Sequence, residues 1–161
     1  MKVVTSRFGD VDVRDEEIFT AVRPLPGFSE STQFFFIERK NIAPFKWMQS
    51  VQEPDLTFVV VEPGQFFHDY EPRIGTFDIE EIGSKNQKDV FLLVIVVLPE
   101  DLTKMTANLR GPLVFNLKGR QFKQSFIETD QYTVRESIVE GIKKKEKARL
   151  EEQQKSEAQT P

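Results

Sequence analysis

The sequence predicts an all-β domain, a barrel or a sandwich, that carries a charged C-terminal tail. Three observations predict it. Short runs rich in Val, Ile, Phe and Thr recur at close spacing. Turn signals such as Pro24-Leu25-Pro26-Gly27 and Gln52-Glu53-Pro54-Asp55 separate them. Almost no helix-forming stretch precedes residue 136, whereas Glu, Lys, Gln, Ala and Arg dominate after it and aromatic residues stop. The chain therefore divides into a β domain over residues 1–135 and a tail over 136–161, helical or disordered.

Lys2 to Arg7 reads as a strand, Phe8-Gly9-Asp10 as a turn, and Val11 to Arg14 as the hairpin partner. Ile18 to Val22 is a further short strand before the Pro24–Gly27 turn. Gln33 to Glu38 holds Phe34, Phe35 and Phe36 in a row; on a strand the middle one faces away from its neighbours, so both faces of this strand carry an aromatic ring. Phe45 to Val51 and Leu56 to Glu62 flank the tight turn at Gln52–Asp55, and Gln65 to Tyr70 forms an aromatic cluster. Asp78 to Gly83 reads as one helical turn that Gly83 ends.

Val90 to Leu98, stopped by Pro99, is the most apolar run and reads as a central strand. It is too short for a membrane helix, which needs about 20 residues. Lys88, Asp89, Glu100 and Asp101 flank it as charged gatekeepers. Glu100 to Lys104 suggests another helical turn, and Thr106 to Leu109, Pro112 to Leu117 and Phe122 to Glu128 bring the strands to about eight or nine. In the tail, Ile138 and Ile142 share a helical face, but Leu150 is the only later large apolar residue. Such a stripe is too thin to anchor a long helix, so the expected helix starts near Glu136 and frays before Gln153.

Composition excludes several function classes. There is no Cys and only one His, His68, which removes disulfides, thiolate nucleophiles, Cys-type zinc sites and multi-His metal cages. The glycines are isolated, so no phosphate-binding loop forms, and no Gly-x-Ser-x-Gly elbow occurs. His68 and Asp69 are neighbours, but neighbours on a strand point to opposite faces, so no catalytic residue, metal ligand or cofactor site is assigned. The stretch MKVVTSRFGDVDV lacks the apolar core of an export signal. The net charge is −4, and the last 26 residues are charge-balanced, so the whole excess lies in the β domain. That balance argues against tracking a nucleic-acid backbone and suits a basic protein partner. The only basic cluster in the body, Lys118-Gly119-Arg120 with Lys123, reads as a charged hairpin. What remains is a protein-binding module in which some of Phe34, Phe36, Phe66, Phe67 and Tyr70 line a groove for an amphipathic helix.

Four ordered blocks carry a resemblance. They are PGF at Pro26–Phe28, WMQSVQEPDLTFVV at Trp47–Val60, FFHDYE at Phe66–Glu71 and MTANLRGPLVFN at Met105–Asn116, followed by Tyr132 and Arg135. Together they resemble the FliW family of bacterial flagellar assembly factors over residues 1–135. Gly119 lies earlier than the family's usual turn glycine, and the charged tail follows the point where the family core tends to end.

The resemblance implies a small antiparallel β-barrel and a cytoplasmic, non-enzymatic protein with two partners. One is CsrA, a small basic RNA-binding translational regulator that the family antagonises; the other is flagellin. Flagellin leaving through the export apparatus would free the antagonist to capture CsrA, and flagellin messenger RNA would then be translated. Candidate CsrA contacts are Glu53, Asp55, Asp69 and Glu71 in the signature blocks; candidate flagellin contacts are Phe66, Phe67, Tyr70 and Met105. Trp47 and Asn108 read as structural. The chain is expected to be monomeric alone, with no direct contact to nucleic acid or membrane. Two rivals stay open: a flagellin export chaperone that does not touch CsrA, and a barrel that binds single-stranded nucleic acid.

Overall fold

The computed structural model describes residues 1–158. Eleven strands form: β1 (Lys2–Thr5), β2 (Gly9–Asp12), β3 (Phe19–Ala21), β4 (Gln33–Ile37), β5 (Lys46–Ser50), β6 (Thr57–Val61), β7 (Phe91–Val97), β8 (Thr106–Ala107), β9 (Leu113–Asn116), β10 (Gln121–Gln124) and β11 (Glu136–Ser137). Two α-helices accompany them, α1 (Thr76–Glu81) and α2 (Ile138–Ala158).

Strands β1 and β2 make a separate hairpin, and the other nine share one sheet in the order β11-β8-β7-β6-β5-β4-β3-β10-β9. That sheet closes on itself because β9 also pairs with β7, Leu113–Phe115 against Phe91–Leu93. The closed ring has seven strands. Every joint in it is antiparallel except one, where Gln121 and Phe122 of β10 run parallel to Thr20 and Ala21 of β3. An odd-membered ring cannot alternate direction all the way round, so one parallel joint is obligatory. The barrel is as expected; its single parallel seam is the detail that an antiparallel description misses.

Strand β7 has two partners along the same edge. Its first half pairs with β9, while Val96 and Val97 pair with β8. The sheet forks there, and β8 leads to β11 and α2 outside the ring.

The barrel interior is filled by Phe34, Met48, Val60, Leu93, Leu113, Phe115 and Phe122. Three outer clusters cover much of the barrel wall. The β1–β2 hairpin packs Val3 and Val13 on Phe35 and Ile37. Helix α1 packs Ile79, and the residue that caps it, Ile82, on Val114. Ile138 and Phe67 pack on Val61, Val94 and Val96. This second layer explains the triple phenylalanine. Phe34 and Phe36 belong to the interior and Phe35 lies under the hairpin, so neither face of β4 is wasted on water.

Several boundaries differ from expectation. The first turn is Ser6–Phe8, and Gly9, at φ 69°, already opens β2. Helix α1 starts two residues early, at Thr76, and Gly83 ends it at φ 80° as foreseen. Strand β8 stops at Ala107 because the Asn108 side chain turns the chain, accepting bonds from Arg110 N–H at 3.1 Å and Gly111 N–H at 2.8 Å. Phe66 to Tyr70 is a loop after a 3-10 turn rather than a strand, so strand alternation does not govern His68 and Asp69. The tail is the largest correction. Glu136 and Ser137 form β11 before the helix begins, and α2 runs unbroken to Ala158, past Gln153. Side-chain pairs Lys143–Glu140, Arg149–Glu146 and Lys147–Glu151 lie at helical spacing along it, exposed pairs that add weak local support to the helix. The remainder of the tail expectation, residues 159–161, lies outside the described residues.

Candidate protein-interaction surface

The β5–β6 turn carries Glu53 and Asp55. Serine hydroxyls and a buried glutamine build it. Glu53 N–H donates to Ser50 Oγ at 2.9 Å, the Ser50 and Ser31 hydroxyls bond at 2.7 Å, and Ser31 closes the ring on the Glu53 carboxylate. Gln49, fully buried, donates from Nε2 to the carbonyls of Ser50 and Pro54 at 3.1 and 3.2 Å. Ser6 ties the turn to the N-terminal hairpin, donating from its backbone to Pro54 O at 3.0 Å and from its hydroxyl to the Asp55 carboxylate. Glu53 is thus half-buried and partly committed to the fold, while Asp55 is exposed.

Asp69 and Glu71 are both exposed, on the loop that follows β6. The two acidic pairs therefore sit at opposite ends of β6, a five-residue strand that spans about 15 Å. The structure does not bring them into one small patch. A partner that touched all four would have to lie along the barrel wall.

The apolar candidates do converge. Phe66, Phe67, Tyr70 and Met105 belong to one cluster with Leu109, Tyr132 and Ile138. Phe66 stacks on Phe45 with ring centroids 5.4 Å apart, and Tyr70 meets Tyr132 edge-on at 4.8 Å. Tyr70 donates its hydroxyl to Leu109 O at 2.7 Å, and the Glu71 N–H donates to the Tyr132 hydroxyl oxygen at 3.0 Å. Burial pushes the Tyr70 phenol above its ordinary range, and the neighbouring Tyr132 adds to the shift. Tyr70 is therefore a neutral donor at all physiological pH. Phe67 is buried, whereas Phe66, Tyr70 and Met105 are half-buried. Replacing Tyr70 by phenylalanine removes only the bond to Leu109 O and is expected to cost about 1 kcal/mol, read as a lower urea midpoint at unchanged slope.

Two open cavities flank the Phe45–Phe66 stack and share Gln65. One, of about 520 Å³, is bordered by Arg39, Pro44, Phe45, Lys46 and Glu62. The other, of about 480 Å³, lies between Phe66, His68 and the α2 residues Ile142, Lys145 and Arg149. His68 is exposed at its rim, with no carboxylate bonded to it among the described residues. No group of three potential metal ligands converges among the described residues, and no helix among them is long and apolar enough to cross a membrane. Trp47 is half-buried, edge-on to Phe8 at 5.6 Å and beneath the Arg7 guanidinium at 4.6 Å.

Sequence reading missed three structural features. Gln49 is a polar residue inside an apolar strand, a signal available but unused. Gly141 interrupts a run of helix formers, which marks a close approach. Lys123, read as part of a basic hairpin, is instead buried in an ion-pair cluster with Asp78 and Glu81.

Comparison with known proteins gives a consistent result. The family model described as "FliW protein" matches residues 2–138. The chain is 37% identical over 145 residues to the flagellar assembly factor FliW of Alkaliphilus metalliredigens, covering 89% of this chain and 90% of the relative. It is 35% identical over 139 residues to the protein of the same name from Leptospira biflexa, covering 86% and 91%. A crystal structure of the flagellar assembly factor FliW superposes with a TM-score of 0.79 at 30% identity, covering 86% of this chain and 96% of the other.

Proposed function

The chain belongs to the FliW family, and from that membership we propose that it is a cytoplasmic flagellar assembly factor that binds flagellin and antagonises CsrA. The observation that carries the reading is the family match across nearly the whole barrel. Two physical features support it. The barrel domain holds the entire net charge of −4, which favours encounter with a basic regulator. The half-buried apolar cluster at Phe66, Tyr70 and Met105 offers a seat of the kind an amphipathic flagellin terminus needs, and Met105 adapts its shape to what it meets.

The partner switch is a linkage between two sites on one scaffold. If flagellin and CsrA bind with negative coupling, the free concentration of one sets the occupancy of the other. Calorimetry of the purified protein with CsrA from the same organism, with and without flagellin, tests this. Binding that flagellin suppresses supports the switch. Flagellin binding without any CsrA binding reduces the protein to an export chaperone.

The acidic contacts have their own test. Glu53→Gln with Asp55→Asn keeps the acceptors for Ser31 and Ser6 but removes two charges. The double variant is expected to associate with CsrA several-fold more slowly at low salt and to show a flatter salt dependence. Association kinetics equal to wild type at low salt would place the contact elsewhere.

A further inference from the structure

We propose that α2 is an intramolecular occupant of the apolar partner site, and that it lifts from residues 65–70 before a partner's amphipathic helix can bind. The proposal rests on the reading of Phe66, Phe67, Tyr70 and Met105 as that site.

Helix α2 is laid along this segment by a few specific contacts. Its first residue, Ile138, is fully buried in the same cluster as Phe67, and its N–H donates to Met105 O at 3.1 Å. One turn later the helix backbone rests on the aromatic itself. A Cβ at Gly141 would lie 2.7 Å from Phe67 Cε1 and 2.8 Å from Phe66 O, so only glycine permits this approach. A turn further on, Lys145 Nζ donates to Gly64 O at 2.8 Å and Gln65 O at 2.9 Å.

The helix is nevertheless a poor filling for the seat. Ile138, Gly141, Ile142, Lys145 and Ala148 line the side towards the loop, and of the two large apolar side chains Ile138 is buried while Ile142 stays exposed at the cavity rim. No residue of α2 after Gly141 is buried. Cavities of about 120 Å³ and about 480 Å³ remain between α2 and the loop it covers. Both are open to water, so the apolar surface that lines them stays hydrated. A partner helix with a small residue at the place of Gly141 and Leu or Phe at that of Lys145 would cover that surface. An element held by so little burial opens below the cost of global unfolding. While α2 is seated, partner affinity is reduced by the fraction of molecules in which it has lifted.

Two variants of the full chain test this. Gly141→Leu cannot seat against Phe67; Lys145→Ala removes only the bonds to the loop. Amide hydrogen exchange reports whether α2 and residues 65–70 have separated while β4–β6 stay protected, and calorimetry with monomeric flagellin as the probe reports affinity. Both variants are expected to exchange faster at residues 65–70 and 138–149. Gly141→Leu is expected to bind about tenfold tighter if α2 is lifted in roughly a tenth of wild-type molecules, and Lys145→Ala by a smaller factor. If wild type binds flagellin but the lifted variants bind no tighter, α2 is not a competitor and the site reading stands. If neither wild type nor lifted variants bind, the site reading falls and this proposal with it. Should Gly141→Leu lose protection in β4–β6, Lys145→Ala decides by the same criteria.

Discussion

Replacing Phe122 by alanine is expected to destabilise the domain by about 4 kcal/mol, within the range for emptying a buried aromatic site. Phe122 has no exposed surface. It stacks on Phe115 with centroids 4.8 Å apart and planes 13° apart, and meets Phe34 edge-on at 5.7 Å. Its position makes the loss non-local. Phe122 pairs with Phe115 of β9 on one side and with Ala21 of β3 on the other, across the single parallel seam. Its carbonyl accepts the Val22 N–H at 2.9 Å. Two interior rings therefore lose a neighbour at the parallel seam, where β3 has only three residues to hold register. A domain of this kind has a total stability of about 5–15 kcal/mol, so the variant should sit near its unfolding transition. Urea unfolding followed at Trp47 measures it. A loss below about 1 kcal/mol would mean that the interior collapses into the space, and that the aromatic stack is not what holds the seam.

Much of the barrel is legible in the sequence because its strands are local statements. Thr57–Val61 and Phe91–Val97 are dense in β-branched and aromatic residues, and Gly83 stops α1 through its positive φ. Closure is not a local statement. The β3–β10 seam joins residues a hundred positions apart, and no residue type announces a parallel partner. Even the β9–β10 turn defeats composition. Gly119 is the obvious candidate for a positive φ, yet Arg120 takes it, at 54°, while Gly119 N–H donates to the Asn116 side chain at 3.1 Å. The candidate site divides in the same way. The convergence of Phe66, Phe67, Tyr70 and Met105 agrees with their family blocks, but nothing in the sequence tells that Glu53–Asp55 and Asp69–Glu71 lie at opposite ends of one strand. Nor does the tail's thin apolar stripe reveal its docking. That depends on Gly141, a residue whose contribution is the side chain it lacks.

Lys123 alternates with Phe122 along β10 and faces outward, yet it is buried, because α1 lies over it. Its ammonium bonds Asp78 and Glu81 at 2.5 Å each, and the two carboxylates have further partners in Ser125 and Arg23. Burial alone would lower the Lys123 pKa, but the hydrogen bonds to Asp78 and Glu81 outweigh it and hold the amine above its ordinary value. Replacing Lys123 by methionine keeps the volume and removes the charge between two carboxylates. The expected cost is about 3 kcal/mol, at the low end for breaking a buried ion pair, because Arg23 and Ser125 still serve the partners left behind. The pH dependence separates this from simple loss of packing. Hydrogen bonds from Arg23 and then Lys123 hold the Glu81 carboxyl down at about 2, against an ordinary 4.5. A carboxyl lowered in the folded state stabilises it fully above pH 4.5, and that contribution fades as the pH falls towards 2. A lysine raised in the folded state acts at the other end, contributing below its ordinary 10.5 and fading as the pH climbs through the higher folded value. Wild type should therefore lose stability from pH 4.5 to 2 more steeply than Lys123→Met, in which Glu81 keeps only Arg23. Parallel stability profiles for the two proteins across that window would show that α1 is held by its apolar face on Val114 alone, and that the ion cluster contributes nothing to seating it.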